Sequence, residues 1–244
     1  MDRTSDRLPI AAVIGRACTE SIVGFIQIVR VAFLVSPFLL SLPQIARADT
    51  VTSIVETIEY EDADETPVAV STPAIARFGP FRVVSANAAE LDGGIDEASV
   101  SEFRRMLAAY PGIATLRMVD CPGTENDDAN LAIARLIRAR GIATHVPAGG
   151  SVRSGGVELF LAGARRTADA GAEFGVHSWQ DENGLEARDV PPDDPVHVAY
   201  IGYYREMGLS PDQARGFYAL TNATPFDQVH YLNRDELRRF AILN

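Results

Sequence analysis

The sequence predicts an α/β domain with a mainly parallel sheet, and three observations predict it. Short aliphatic runs alternate with longer amphipathic stretches. The amphipathic stretches place apolar residues at helical spacing, and glycine, proline or capping residues stand at the handovers. Strand, helix, strand, helix in that succession puts crossover helices between parallel strands.

The chain opens differently. Residues 1–48 hold an apolar stretch after Arg30, a proline-containing region and "ARA" ending at Ala48. A basic residue, an apolar run and small-x-small before a polar start read as a secretory signal cleaved after Ala48, which makes the protein periplasmic or otherwise exported. A membrane anchor left uncleaved and facing the periplasm is the competing reading, because residues 22–42 approach the length of a membrane span. Residues 49–77 are acidic and Thr/Pro-rich, a flexible lead-in with one strand expected at "TSIVETIEY". The domain proper is expected over 78–244.

Within it, "FRVVSA" is a strand, and "AAELDGGI" follows with turn glycines Gly93 and Gly94. Residues 96–111 form a helix on Val100, Phe103, Met106 and Leu107, with Asp96 as its cap and Pro111 beyond its end. "ATLRMVD" alternates into a strand that "CPGT" breaks. Residues 125–141 are an amphipathic helix with Leu131, Ala134, Leu136 and Ile137 inward and Gly141 as its stop. "IATHVPA" is a strand, "SGGVELFLAGA" a buried helix, and residues 165–179 two short strands around Gly171. The tail is helical: residues 194–208, then 210–222 capped by Ser210 with Pro211 at the first position. Last come residues 233–243, capped by Asn233 with Glu236 three residues on.

Composition narrows the function. The 244 residues carry 22 basic side chains, all arginine, against 33 acids, a net charge of −11. Cleavage after Ala48 removes five arginines and three acids, leaving 17 against 30, a charge of −13. An acidic exported domain excludes nucleic acid and anionic membrane surfaces as partners. Membrane contact is expected only if the leader stays attached. Beyond the leader Cys121 is the single cysteine, so no internal disulfide supports the domain, and a buried strand-end thiol is expected.

Chemistry concentrates around Ser154. It stands where a strand hands over to a helix, and Gly155 after it offers an unhindered N–H at the helix start. A second handover, in "VDCPGT", has Gly123 for a sharp turn that exposes the Thr124 N–H. Neighbouring parallel strands bring two such turns to one sheet edge. With no lysine in the chain the base must be one of four histidines, and His177 ends the strand after the Ser154 helix. Asp227, between two helices, is the expected orienting acid. The bland reading of Ser154 is a helix cap beside close-packing glycines.

The stretch from "VDCPGT" through "THVPAGGSVRSGGVELFLAGARRTADAGAEFGVHSW" resembles the Clp protease proteolytic subunit and its exported relatives in the ClpP/crotonase superfamily. The resemblance runs from about Phe81 to the end of the chain and is most specific from Cys121 to His177. It implies a spiral of β-β-α units with a mainly parallel sheet and C-terminal helices. It also implies a serine hydrolase with Ser154 as nucleophile, His177 as base, Asp227 as third member and the Gly155 and Thr124 amides as oxyanion hole. Cys121 stands where the family has serine, and Thr124 where it has the second glycine of a Gly-Gly turn; the Asp227 segment is about two residues longer than the family pattern.

The resemblance further implies a peptide or small acyl substrate, no cofactor or metal, self-association into a homo-oligomer, and no ATPase partner outside the cytoplasm. The rival is a catalytically degraded binding or assembly module on the same scaffold. A crotonase-type acyl-CoA enzyme lacks an adenine or phosphate anchor here, and a serine–lysine mechanism is excluded by the missing lysine. Three further features have structural readings. Glu158 is expected to salt-bridge Arg153 or Arg166, with selection of a cationic substrate as the other reading. Glu125, Asp127 and Asp128 complement a helix dipole rather than bind calcium. Tyr200, Tyr203, Tyr204, Phe217 and Tyr218 belong to the core or to a subunit interface.

Overall fold

Nine strands and six helices occupy residues 71–244, the part of the chain described by the structure, a computed structural model. The leader, the strand expected at "TSIVETIEY" and most of the lead-in lie outside the described residues. The sheet opens with β1 (Ala76–Phe78), β2 (Phe81–Val83) and β3 (Ala88–Asp92), paired antiparallel in sequence. β1 lies ahead of the boundary expected at Phe78, because Ala76 pairs with Val83.

After α1 (Ser99–Ala109) every connection among the next strands is parallel, as the alternating pattern requires. β4 (Thr115–Cys121) is the pivot. Its first half, Thr115–Arg117, pairs with β5 (Ala143–Val146), and its end, Asp120 and Cys121, pairs with β6 (Ser151–Arg153). The sheet therefore forks into two tiers. β5 continues to β7 (Arg166–Ala168), and β6 continues to β8 (Glu173–Val176) and then antiparallel to β9 (His230–Tyr231). The expected β-β-α succession is visible as β5, β6 and then α3 (Gly155–Leu161). β6, only three residues long, is the strand that carries the chain to Ser154.

The helices start where their caps dictate. Asn126 caps α2 (Asp127–Ala139) by accepting from the Ala129 N–H, and Asp194 caps α4 (Pro195–Glu206) through the Val196 N–H. Ser210 and Gln213 form a capping box on α5 (Pro211–Thr221), as do Asn233 and Glu236 on α6 (Arg234–Arg239). Each satisfies N–H groups that a first turn leaves unpaired, a contribution of about 1 kcal/mol apiece. At α1 the expected cap is met in a shifted form. Asp96 accepts from the Ser99 N–H and hydroxyl although Ala98 occupies the cap position.

α3 packs on β5, β6 and β8 and against α2. Its Leu159, Phe160 and Leu161 are buried, with the Phe160 ring 4.8 Å from that of Phe174 on β8. Burial of each such side chain contributes roughly 1.5–3 kcal/mol. Arg166, at the start of β7, is a buried cation bonded to backbone carbonyls of Leu161, Gly163, Met207, Ala241 and Ile242. It ties the ends of α3 and α4 and the segment after α6 to one point. Among the described residues no helix is long and apolar enough to cross a membrane.

Candidate active site

Three neighbouring parallel strands, β4, β6 and β8, end at the same edge of the upper tier. Register fixes their relation: Cys121 faces Val152, and Arg153 faces Gly175. The residues just beyond those ends are Gly123 and Thr124, Ser154, and His177. Thr124, Ser154, Gly155 and His177 line one cavity of about 60 Å³, with Asp127, Glu158, Tyr200 and Phe226 among the other wall residues.

Ser154 has φ 51° and ψ −128°, a conformation that non-glycine residues rarely adopt. Such backbone strain, of order 1–3 kcal/mol, persists only where the surroundings impose it. Here the Ser154 N–H donates to Gly175 O and the Val157 N–H donates to Ser154 O, so strand pairing and helix start clamp the residue from both sides. The side chain makes no capping hydrogen bond to α3. Ser154 thus occupies the N-cap position of α3, as the bland reading has it, without capping the helix through its side chain, and it sits on a sharp strand-to-helix turn.

The turn fits only because its neighbours are bare. Gly123, at φ 137°, comes so close that a methyl there would stand 3.1 Å from Ser154 Cβ and 3.5 Å from Oγ. A methyl on Gly155 would lie 2.6 Å from Thr124 Cγ2, and one on Gly156 would lie 2.9 Å from Cys121 Sγ. The glycine pair that opens α3 is therefore a packing requirement of the β4 turn beneath it.

His177 is half-buried, and its Nδ1 lies 2.8 Å from the carbonyl oxygen of Ser178. A carbonyl only accepts, so Nδ1 carries the proton and Nε2 is left as the basic nitrogen. Burial lowers the imidazole pKa below its ordinary 6.5, against the Ser178 bond and the charge of Glu186, which favour the protonated form. The ring packs edge-on against Phe226 at 5.0 Å. Ser178 is itself pinned, its N–H donating to Thr224 O and its hydroxyl bonded to Asn222 Oδ1.

Asp227, the expected orienting acid, is exposed and does not line the cavity. Phe226 turns inward at that point and the next side chain turns out. Nδ1 instead donates to the Ser178 carbonyl oxygen, a backbone group with no side-chain signature in the sequence.

Thr124, where the resemblance implies a glycine, does not block the turn. It lies outside the positive-φ region, and its hydroxyl donates to Asn126 O at 2.8 Å and is held near Ile95 O at 3.2 Å. The Ile95–Thr124 bridge is made by Ile95 N–H to Gly123 O and Glu125 N–H to Ile95 O. By alternation the Thr124 N–H faces the opposite side of the strand, where β6 and Ser154 lie.

The rest of the wall corrects two expectations. Glu158 makes no ion pair with an arginine. Arg153 bonds Asp120 and Ser151, Arg166 bonds carbonyls, and Glu158 accepts from the Tyr204 hydroxyl at 3.1 Å. Burial pushes the Glu158 carboxyl up to about 7. Asp127 is more than a dipole partner: it lines the cavity, and burial, then the charges of Glu158 and Asp128, push it up to about 7. Tyr200 and Tyr204 are core residues that also reach the cavity. Cys121 is buried and its thiol is pushed up to about 12 by that burial, as a structural thiol would be. Among the described residues no three His, Cys, Asp or Glu side chains group as a metal site.

No family model matches the chain, and no curated protein matches it. Among solved structures it is similar to a mutant of the 1510-N membrane-bound stomatin-specific protease in complex with a substrate peptide. That match has 19% identity and a TM-score of 0.45 over 64% of this chain and 72% of the other. It is also similar to ClpP1 from Listeria monocytogenes, at 17% identity and a TM-score of 0.45 over 65% of this chain and 89% of that one.

Proposed function

We propose that the protein is a serine hydrolase of ClpP-like type acting on a peptide or another acyl compound. The observation that carries this reading is Ser154 itself: a strained serine, unused as a cap, on the wall of a cavity shared with a histidine whose Nε2 is basic. In the proposed reaction His177 Nε2 takes the Ser154 hydroxyl proton as Oγ attacks the substrate carbonyl carbon. The resulting oxyanion accepts hydrogen bonds from the Gly155 and Thr124 amides. The imidazolium returns its proton to the leaving group, and water then cleaves the acyl-enzyme with His177 again as base. The Ser178 carbonyl orients the ring in the role expected of Asp227. Export and self-association belong to the same proposal.

A fluorophosphonate probe tests the reading. Wild-type protein is expected to be labelled, with labelling lost in Ser154→Ala and reduced at least 100-fold in rate in His177→Ala. The base works only when neutral, and its folded pKa is depressed. The labelling rate should therefore rise with pH along a limb centred below 6.5 and stay flat above it. A folded protein that resists the probe at neutral pH would instead be a binding module.

A further inference from the structure

The cavity holds more acceptors than the hydrolase reaction uses. Glu158 lies one helical turn beyond Ser154 on α3, and Asp127 opens α2; both residues line the cavity, and among the described residues neither is paired with an arginine. Two further polar atoms on wall residues are buried with no hydrogen-bond partner, Asn130 Oδ1 and the Tyr200 hydroxyl. Asn130 is 2% exposed and Tyr200 9%. The orientation of Asn130 is fixed, because its Nδ2 donates to Gly155 O at 2.9 Å, which leaves Oδ1 as the unmatched atom. Buried polar atoms are nearly always satisfied, so unmatched ones in a cavity wall mark a missing donor.

We propose that this end of the cavity recognises a primary ammonium group. The enzyme would then prefer acyl substrates whose lysine-like side chain adjoins the attacked carbonyl. The substrate half of this inference rests on the hydrolase reading; the pocket half does not. An ammonium donates in three directions from one compact head, which suits two carboxyls, an amide oxygen and a phenol oxygen around one space. The volume of about 60 Å³ admits about four to six water-sized positions. That matches a four-carbon stem with a small head better than a planar guanidinium.

Asp127 and Glu158 hold protons where a cation would sit. Asp128, exposed on α2, acts on Asp127, and Tyr203 and Cys121 act on Glu158; the other titratable residues lining the cavity are His177 after β8 and Tyr200 and Tyr204 on α4. Both tyrosines stay neutral because burial raises them well above 10, and burial keeps His177 neutral above its lowered value. Ammonium binding therefore replaces protons on Asp127 and Glu158, and it strengthens as pH rises through about 7.

The test separates the pocket from the chemistry. Binding of n-butylammonium and of its uncharged counterpart n-butanol is measured by saturation-transfer NMR on the full chain and on Ser154→Ala. At pH 8 the cation is expected to bind both proteins at least tenfold better than the alcohol, with that preference lost at pH 5.5 and in Asp127→Asn and Glu158→Gln. Equal binding of cation and alcohol by the wild type at pH 8 overturns the proposal, whether or not Ser154 is labelled. In parallel, lysyl and norleucyl aminocoumarin peptides are compared. A kcat/KM preference for lysine that appears only above about pH 7 supports the substrate class, and equal hydrolysis of the two overturns it. Cation binding without fluorophosphonate labelling would sink the hydrolase and leave the pocket standing.

Discussion

Ser154 holds the clearest single-residue test, because its backbone angles cost stability that its hydroxyl does not recover by capping. Glycine adopts φ 51° freely, whereas alanine does not. Ser154→Gly is therefore expected to raise stability by about 1 kcal/mol after the extra unfolded-state entropy of glycine is subtracted. Ser154→Ala should gain nothing, and urea midpoints of the two variants decide the matter. The serine and histidine were legible in the sequence because their order and spacing survive as a one-dimensional pattern. The orienting group was not, since the Ser178 carbonyl is backbone and its position depends on how residues 222–224 fold over it. The expected Glu158 salt bridge was misread, and the place of Asp127 on the cavity wall went unseen, for a related reason. A carboxylate in a helix has the same spacing whether it meets water, an arginine or a cavity.

At the scale of elements, α3 shows propensity giving way to packing. Alanine at position 156 would favour the helix by about 1 kcal/mol over glycine. Its methyl, however, would stand 2.9 Å from Cys121 Sγ and 3.0 Å from Cys121 O. The second contact is with backbone and cannot be relieved by a rotamer. Gly156→Ala is expected to destabilise by about 1–3 kcal/mol and to slow probe labelling, because α3 must shift off β4 and carry Ser154 with it. Thermal unfolding and labelling rate read the two effects. Helices with side-chain caps, such as α5 and α6, were legible because the cap is written in adjacent residues. β6 and β9 were not: three and two residues are too few to show alternation, and each is defined by its pairing, β6 between β4 and β8 and β9 against β8.

For the whole molecule, the fork at β4 gives the two tiers different work. The lower tier, β5 and β7, meets Arg166 and the chain after α6; the upper tier, β6 and β8, leads to the cavity that Ser154 and His177 line. The expectations for the intact protein are that its processed form, recovered from outside the cytoplasm, begins at Asp49 and sediments as more than one copy. N-terminal sequencing and analytical ultracentrifugation at micromolar concentration check both, and a chain starting at Met1 or sedimenting as a monomer counts against them. The register of β4, β6 and β8 has a kinetic consequence as well. Thr124, Ser154 and His177 come together only after two crossovers, β4 to β6 and β6 to β8, have closed, and loop closure must be met before any of those contacts stabilises the chain. Until they close, the Ser154 hydroxyl has no imidazole beside it and is no more reactive than that of any other serine.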